Sequence, residues 1–401
     1  MFFLSTMASM LQTTALLAHV YSISHSKLDL GFVGLAEFAP AALLVLVTGS
    51  IADRYNRRLI VLVAIAAEVV CALLFLLYAR TNPTSVGPMF AIVVAFGVAR
   101  AFQSPAARAM PPMVAPHGGM ARVVAMNSIS WQAATISGPA IAGFLFEVDP
   151  GVPYAAVMAL YVVTGLAVLS LPHLPPRHDA RNERATLATA LGGLRVVRRS
   201  PILLGAIALD LFAVLFGGAT ALIPAIATER LGVGPSGQGW LRAAGGIGAS
   251  ITGLILMARP VYRSVGRVLL LAVGIFGVAT IALGLTRSYA IALLAMAVLS
   301  GADMVSVFIR GTLVPLATPD EVRGRVNAVE MVFIGASNEL GAFESGVAAA
   351  AIGTVGAIVS GGVATLVIVG VWWWRFPDLR DVDQFSDIEH RSPVPPSSGG
   401  N

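Results

Sequence analysis

Between two long apolar runs the chain reads Gly49-Ser50-Ile51-Ala52-Asp53-Arg54-Tyr55-Asn56-Arg57-Arg58. The flanking runs, 31–51 and 59–78, each have about the twenty mostly apolar residues that cross a bilayer as a helix. A short charged connection between two such runs is how a polytopic membrane protein turns around at the water interface. The whole chain has the matching composition: 401 residues, 57% hydrophobic and only 12% charged, with mean hydropathy +0.82. Soluble domains carry about 25% charged residues. A chain this poor in charge cannot clothe a water-facing surface, whereas lipid tails require no such clothing.

Working outward from that connection, apolar runs of spanning length occur at 2–23, 31–51, 59–78, 89–107, 123–146 and 154–171. A polar stretch follows, and then come 202–228, 237–257, 268–285, 289–313, 328–352 and 355–374. The expected fold is all-α and polytopic, with twelve transmembrane helices in two six-helix pseudo-repeats. Residues 1–171 form the first half and 202–376 the second. Residues 172–201 form a connecting loop whose second part reads as an amphipathic helix ending in Arg195, Arg198 and Arg199. Such a helix lies on the membrane surface with its arginines toward lipid phosphates. The stretch 377–401 mixes charges with Pro, Ser and Gly and reads as a disordered tail.

The distribution of basic residues sets the orientation. Of the 26 Lys and Arg, only Lys27, Arg80, Arg230 and Arg287 fall on the odd-numbered connections. The even-numbered connections and the tail carry nearly all the others, which places both termini in the cytoplasm. The net charge of +5 reflects these inner loops, and no nucleic-acid partner is expected. The first run starts almost at Met1 without the basic flank and cleavage site of a signal peptide. The single cysteine, Cys71, allows no internal disulfide and no cysteine metal cluster.

The halves echo each other. Ala-Arg122-Val-Val-Ala follows the fourth run and Gly-Arg325-Val-Asn-Ala the tenth. Arg58-Leu-Ile-Val-Leu follows the second and Arg267-Val-Leu-Leu-Leu the eighth. Each pair is separated by a similar length of chain. Repeated halves meeting around a midplane site are a transporter architecture.

The Gly49 to Arg58 connection resembles the G-x-L-A-D-R-x-G-R-R loop of the major facilitator superfamily. Asn56 stands where the superfamily has glycine, a departure that left-handed backbone angles tolerate. The resemblance implies a conformational latch of Gly49, Asp53, Arg54, Arg57 and Arg58, in which Arg57 or Arg58 pairs with acids of the other half. Arg100-Ala-Phe-Gln103 is similar to the R-x-x-Q of the superfamily's fourth helix. Gly138-Pro139-Ala-Ile-Ala-Gly143 is similar to the G-P-x-x-G-G element of its antiporters, with Ala142 in place of a glycine. Small residues there let helices approach closely. Ser104-Pro-Ala-Ala-Arg-Ala-Met-Pro-Pro, Thr318-Pro-Asp-Glu-Val-Arg-Gly-Arg and Asn338-Glu-Leu-Gly-Ala-Phe-Glu-Ser-Gly narrow the resemblance to the branch containing enterobactin exporters. That branch implies export, and a siderophore or drug as substrate.

A charge at mid-bilayer costs about 2.5–3.5 kcal/mol or more, so intramembrane ionisable residues are functional candidates. Here they are Glu37, Arg100, Asp210, Arg242, Asp303, Arg310, Glu339 and Glu344, with Asn338 beside them. Glu68 reads instead as a residue that locks helices together. Asp303 and Arg310 lie seven apart on one helix, hence on one face. A carboxyl balanced between burial and a nearby arginine can take up and release a proton. No H-E-x-x-H, G-x-S-x-G or G-x-x-x-x-G-K-[ST] pattern occurs, so no enzyme, cofactor or metal is expected, and no ATP-driven pump.

The expected function is proton-coupled export of a small amphipathic molecule by alternating access. The expected location is the bacterial inner membrane, the partners are protons, substrate and membrane lipid, and the expected state is a monomer. Uptake and a non-transporting membrane sensor or scaffold are the alternatives. The Gly138-Pro139 element opposes the first, and the lack of a sizeable soluble domain opposes the second.

Overall fold

The computed structural model describes residues 1–108, 110, 119–171, 187–319 and 322–391. It is all-helical. In the first half, α1 spans Phe2–Ser24, α2 Lys27–Arg54, α3 Arg57–Ala79, α4 Gly87–Arg108, α5 Met120–Val148 and α6 Val152–Leu169. The helix α7, Leu187–Arg199, leads into the second half: α8 Pro201–Gly217, α9 Pro235–Ala258, α10 Val265–Leu285, α11 Tyr289–Leu316 and α12 Arg323–Arg375. Among the described residues eight stretches are long and apolar enough to cross a membrane, one of them Pro201–Arg230, which runs from α8 through the irregular turns that follow it. Helices α1, α2 and α5 are of spanning length too, at 23, 28 and 29 residues, with polar side chains such as Gln12, Glu37 and Ser137 along them. At 53 residues α12 exceeds one crossing. Gly353, at φ 80 and ψ 163, divides it into two spans, 323–352 and 354–375. That backbone angle favours glycine because a β-carbon would crowd the following carbonyl.

Local chemistry ends the helices where the spans end. His25 leaves α1 at φ 50, and the Ser26 side chain accepts from Asp29 N at 3.2 Å to start α2. Asn56 Oδ1 accepts from Arg58 N at 3.0 Å and starts α3. Asn56 therefore acts as a helix cap with extended backbone (φ −61, ψ 111), not through the left-handed angles expected for it. The single span expected over 202–228 is broken. After Gly217 the chain tightens at Ala219–Leu222, passes Pro224, which lacks an N–H, and widens at Ile226–Arg230.

The tail also corrects the sequence expectation. From residue 377 it is ordered through 391, in two short helices, α13 (Pro377–Arg380) and α14 (Ser386–Arg391). Leu379, Val382 and Ile388 are buried in the apolar core of the second half. Tail residues also cap α10, as Gly266 N donates to Val382 O, Val265 N to Asp383 O and Ser264 N to Asp383 Oδ1. Those orphan N–H groups and three apolar side chains order a segment whose composition alone reads as disordered. Residues 392–401, like 172–186 of the expected loop, lie outside the described residues.

The halves pack along two seams, α2 against α12 and α5 against α9. On the first seam a β-carbon at Gly31 would lie 3.1 Å from Phe343 backbone, and one at Gly346 would lie 2.9 Å from Gly31. On the second, a β-carbon at Gly239 would collide with the Pro139 carbonyl and one at Gly143 with the Pro235 carbonyl. These approaches gather at the end of the molecule that carries the α1–α2 and α5–α6 turns. A continuous buried cluster fills that end, with Leu16, Tyr21, Leu30 and Phe75 from one half and Leu222, Ile226, Leu241 and Ile358 from the other. Toward their opposite ends the same four helices carry exposed Leu43, Ile129, Met257 and Val332.

Candidate functional site

In the first half, α2 and α4 bring Glu37 and Arg100 together at 2.6 Å. The Arg100 guanidinium also lies over the Phe96 ring. One turn on, Gln103 Nε2 donates to Glu68 Oε2 at 2.8 Å. Glu68 is 0% exposed in the middle of α3, and its second oxygen has no hydrogen-bond partner. The other half reaches this group through Glu339 on α12. A β-carbon at Gly34, one turn before Glu37, would meet Glu339 Oε2 at 2.7 Å. The missing side chain at Gly34 therefore makes room for a carboxylate from the opposite half.

The second half has its own pair. Arg310 on α11 reaches Asp210 on α8 at 2.5 Å, with both side chains under 10% exposed. Arg310 Nε also donates to Ser306 Oγ at 3.2 Å. Asp303, two turns before Arg310, lines a small cavity with Asp210 and Ser306. Each half thus holds one mid-span arginine paired with one acid, with a second acid nearby: Glu339 from the opposite half at Arg100, and Asp303 from the same half at Arg310. The third mid-span arginine differs. Arg242 on α9 donates from Nη2 to the Thr220 carbonyl at 3.2 Å, its Nε is buried without a partner, and no acid pairs with it among the described residues. Asn338 Nδ2 bonds its own helix at Ile334 O. Glu344, further along α12, makes no hydrogen bond or ion pair among the described residues.

Among the residues expected to form the latch, the described contact is that of Arg58. Arg58 Nη2 donates to Leu169 O at the C-terminus of α6, within its own half. A cation there satisfies carbonyls that the helix end leaves free. Arg57 opens α3. The side chains of Asp53 and Arg54, and the surroundings of Gly49, lie outside the described residues. Gly138 lies against α1, where a β-carbon would come within 2.7 Å of Met10 Cβ. Pro139 and Gly143 lie on the α5–α9 seam.

Sequence reasoning missed one cluster at the joined end. Glu229 receives Tyr21 Oη at 2.5 Å and Thr354 Oγ1 at 2.7 Å, and pairs with Lys27 Nζ at 3.0 Å. Tyr21 and Lys27 come from the first half, Glu229 and Thr354 from the second. The partners stand as far as 208 positions apart, so no local spacing links them. The only sequence signal is that Lys27 and Glu229 both sit at the ends of spans on one side.

Residues 2–397 match the family model for transmembrane secretion effectors. The chain is 25% identical over 395 residues to the enterobactin exporter EntS of Escherichia coli strain K12, covering 93% of this chain and 91% of that one. The same figures hold for EntS of Shigella dysenteriae serotype 1. Among solved structures it is similar to a point mutant of the nucleoside transporter NupG, with TM-score 0.75, 13% identity and coverage of 94% and 98%. It is also similar to a bacterial homolog of the human lysosomal transporter Spinster in an inward-facing, unoccupied conformation, with TM-score 0.71, 16% identity and coverage of 99% and 97%. A family match over nearly the whole chain, and the shared fold of two six-helix halves, place it: the chain belongs to the transmembrane secretion effector family and is a multi-pass transporter of the major facilitator superfamily.

Proposed function

We propose that the chain is a proton-coupled exporter of small amphipathic molecules, working by alternating access in the bacterial plasma membrane with both termini cytoplasmic. In that orientation the joined end faces outward and the site opens inward, ready to load substrate from the cytoplasm. The observation that carries the reading is the pair of arginine–carboxylate contacts within the spans, Glu37–Arg100, part-exposed, and Asp210–Arg310, buried, each with a further acid at hand in Glu339 or Asp303. An arginine shared between two acids can release one to be protonated while it holds the other. Protonation in one state and release in the other would tie proton entry to substrate exit. At about 150 mV one inward proton supplies roughly 3.5 kcal/mol, enough for a gradient of ~300-fold. The direction of transport is supported by the secretion family and by the exporters it resembles. Their named substrate, enterobactin, makes a siderophore one member of the class to screen.

The test uses purified protein in liposomes with an imposed pH gradient. Asp303→Asn, Glu339→Gln and Glu344→Gln each mimic a permanently protonated acid. At least one, with Asp303→Asn the first to try, abolishes uphill export while exchange of substrate for substrate continues. Uphill export at wild-type rates in all three variants removes proton coupling through these groups.

A further inference from the structure

Resting on the exporter reading above, we propose that Arg242 and Gln238 form the headgroup site for an anionic amphipathic substrate, one carrying a carboxylate, sulfonate, phosphate or ionised phenol. A guanidinium stays charged in proteins, and an uncompensated charge inside a membrane protein is costly. Of the three mid-span arginines, Arg100 and Arg310 each have an acid in contact, and Arg242 has only the Thr220 carbonyl. Its Nε is buried and donates to nothing. One turn earlier on the same helix, Gln238 is 5% exposed and its Nε2 is likewise buried with no acceptor. Two orphan donors four residues apart lie on neighbouring positions of one helix face. What both lack is an acceptor, and the arginine lacks a negative charge.

Lipid phosphate is not positioned to supply it. The exposed side chains of α9 in this region, Trp240, Ile247, Ile251 and Leu254, fall on one flank of the helix. At 100° per residue Arg242 lies about 150° around from their centre. Its flank is the one shared with Gly239 and Gly246, which pack on Pro139 and Ile136 of the other half. Thr220, its one acceptor, belongs to the irregular stretch after α8. Arg242 therefore points inward, where the two halves meet and a helix is interrupted. An anion reaching this point from the open side would supply both donors with an acceptor where the two halves meet, as a substrate that links binding to rocking requires.

The experiment compares 8-anilinonaphthalene-1-sulfonate with N-phenyl-1-naphthylamine, which share an aromatic body and differ by the sulfonate. Equilibrium dialysis against the purified full chain reads the ratio of the two affinities, and liposomes read accumulation of each. Wild type favours the sulfonate by tenfold or more. Arg242→Gln cuts that ratio at least tenfold, Gln238→Leu cuts it severalfold, and Arg242→Lys keeps most of it. Because the arginine lacks an acidic partner in the protein, Arg242→Gln keeps or raises the thermal midpoint, whereas a helix-locking arginine would lower it. A wild type without the preference, a ratio unchanged in Arg242→Gln, or a lowered midpoint in that variant overturns the site. A sulfonate preference that Arg242→Gln removes, in a protein that moves neither compound uphill, retains the site and removes the exporter reading. Uphill export with a ratio indifferent to Arg242 does the reverse.

Discussion

Arg310 and Arg242 lie in the same half of the molecule, and Asp210 touches the first while no acid among the described residues touches the second. The consequence for stability is opposite in sign. Arg310→Met leaves Asp210 as a buried carboxylate without its cation, and breaking a buried pair on one side costs about 3–5 kcal/mol. Adding Asp210→Asn removes the stranded charge, so the double variant recovers most of the loss. Thermal denaturation of the purified variants in detergent checks the order: wild type near the double variant, and the single Arg310→Met well below both. A double variant as unstable as the single one would show that the pair is not the source of the loss. The sequence was enough to name Arg310, Asp210, Arg100 and Glu37, because a charge inside an apolar run is conspicuous by itself. It was not enough to pair them. Arg310 shares a helix face with Asp303, yet its contact is Asp210 on another helix, and side-chain spacing carries no information between helices. For the same reason Lys27 and Glu229 read as loop charges although they meet.

At the scale of the element, the seams depend on absent side chains. Helices α5 and α9 come within backbone contact because Gly143 and Gly239 have no β-carbon to strike the Pro235 and Pro139 carbonyls. In lipid such close packing carries helix association, since apolar side chains gain little by leaving apolar solvent. Gly239→Val therefore pushes the helices apart at the joined end. Cysteines at positions 147 and 234, in a Cys71→Ala background, report on it, because Glu147 Oε1 lies 3.7 Å from where a β-carbon at Gly234 would be. A short bifunctional thiol reagent cross-links that pair in the parent, and Gly239→Val slows the reaction fivefold or more. An unchanged rate would mean that the seam yields elsewhere. The Gly138 to Gly143 element was legible as a packing surface from its small residues. Its partner α9 was not, because glycines in a span do not name what they face. Hydrophobic length was a reliable guide to the helices: the gap between the runs ending at 352 and starting at 355 falls on Gly353. It failed where backbone geometry intervened around Pro224, which interrupts one apolar stretch.

For the whole molecule, alternating access requires that the joined end be stable enough to form and weak enough to part. The apolar cluster shared by the halves is not directional. The Glu229 cluster is, because its bonds to Tyr21 and Lys27 cross between halves while its bond to Thr354 stays within one. Glu229 and Lys27 are 38% and 22% exposed, so water screens the pair and its contribution is about 1 kcal/mol rather than the several of a buried one. That amount shifts a two-state equilibrium about fivefold, a tuning effect that leaves the fold intact. Spin labels at Thr84 and Arg287, exposed residues on the connections of opposite halves at that end, read the separation directly. In Glu229→Gln the charge is gone while the side chain keeps its size, so a longer distance appears and gains about fivefold in population over the parent. Lys27→Met has a similar effect, and the two together add little to either alone, because each removes the same contact. Effects that add in full would place the two residues in separate interactions. A distribution unchanged in all three variants would assign closure of that end to the apolar cluster and the glycine seams alone.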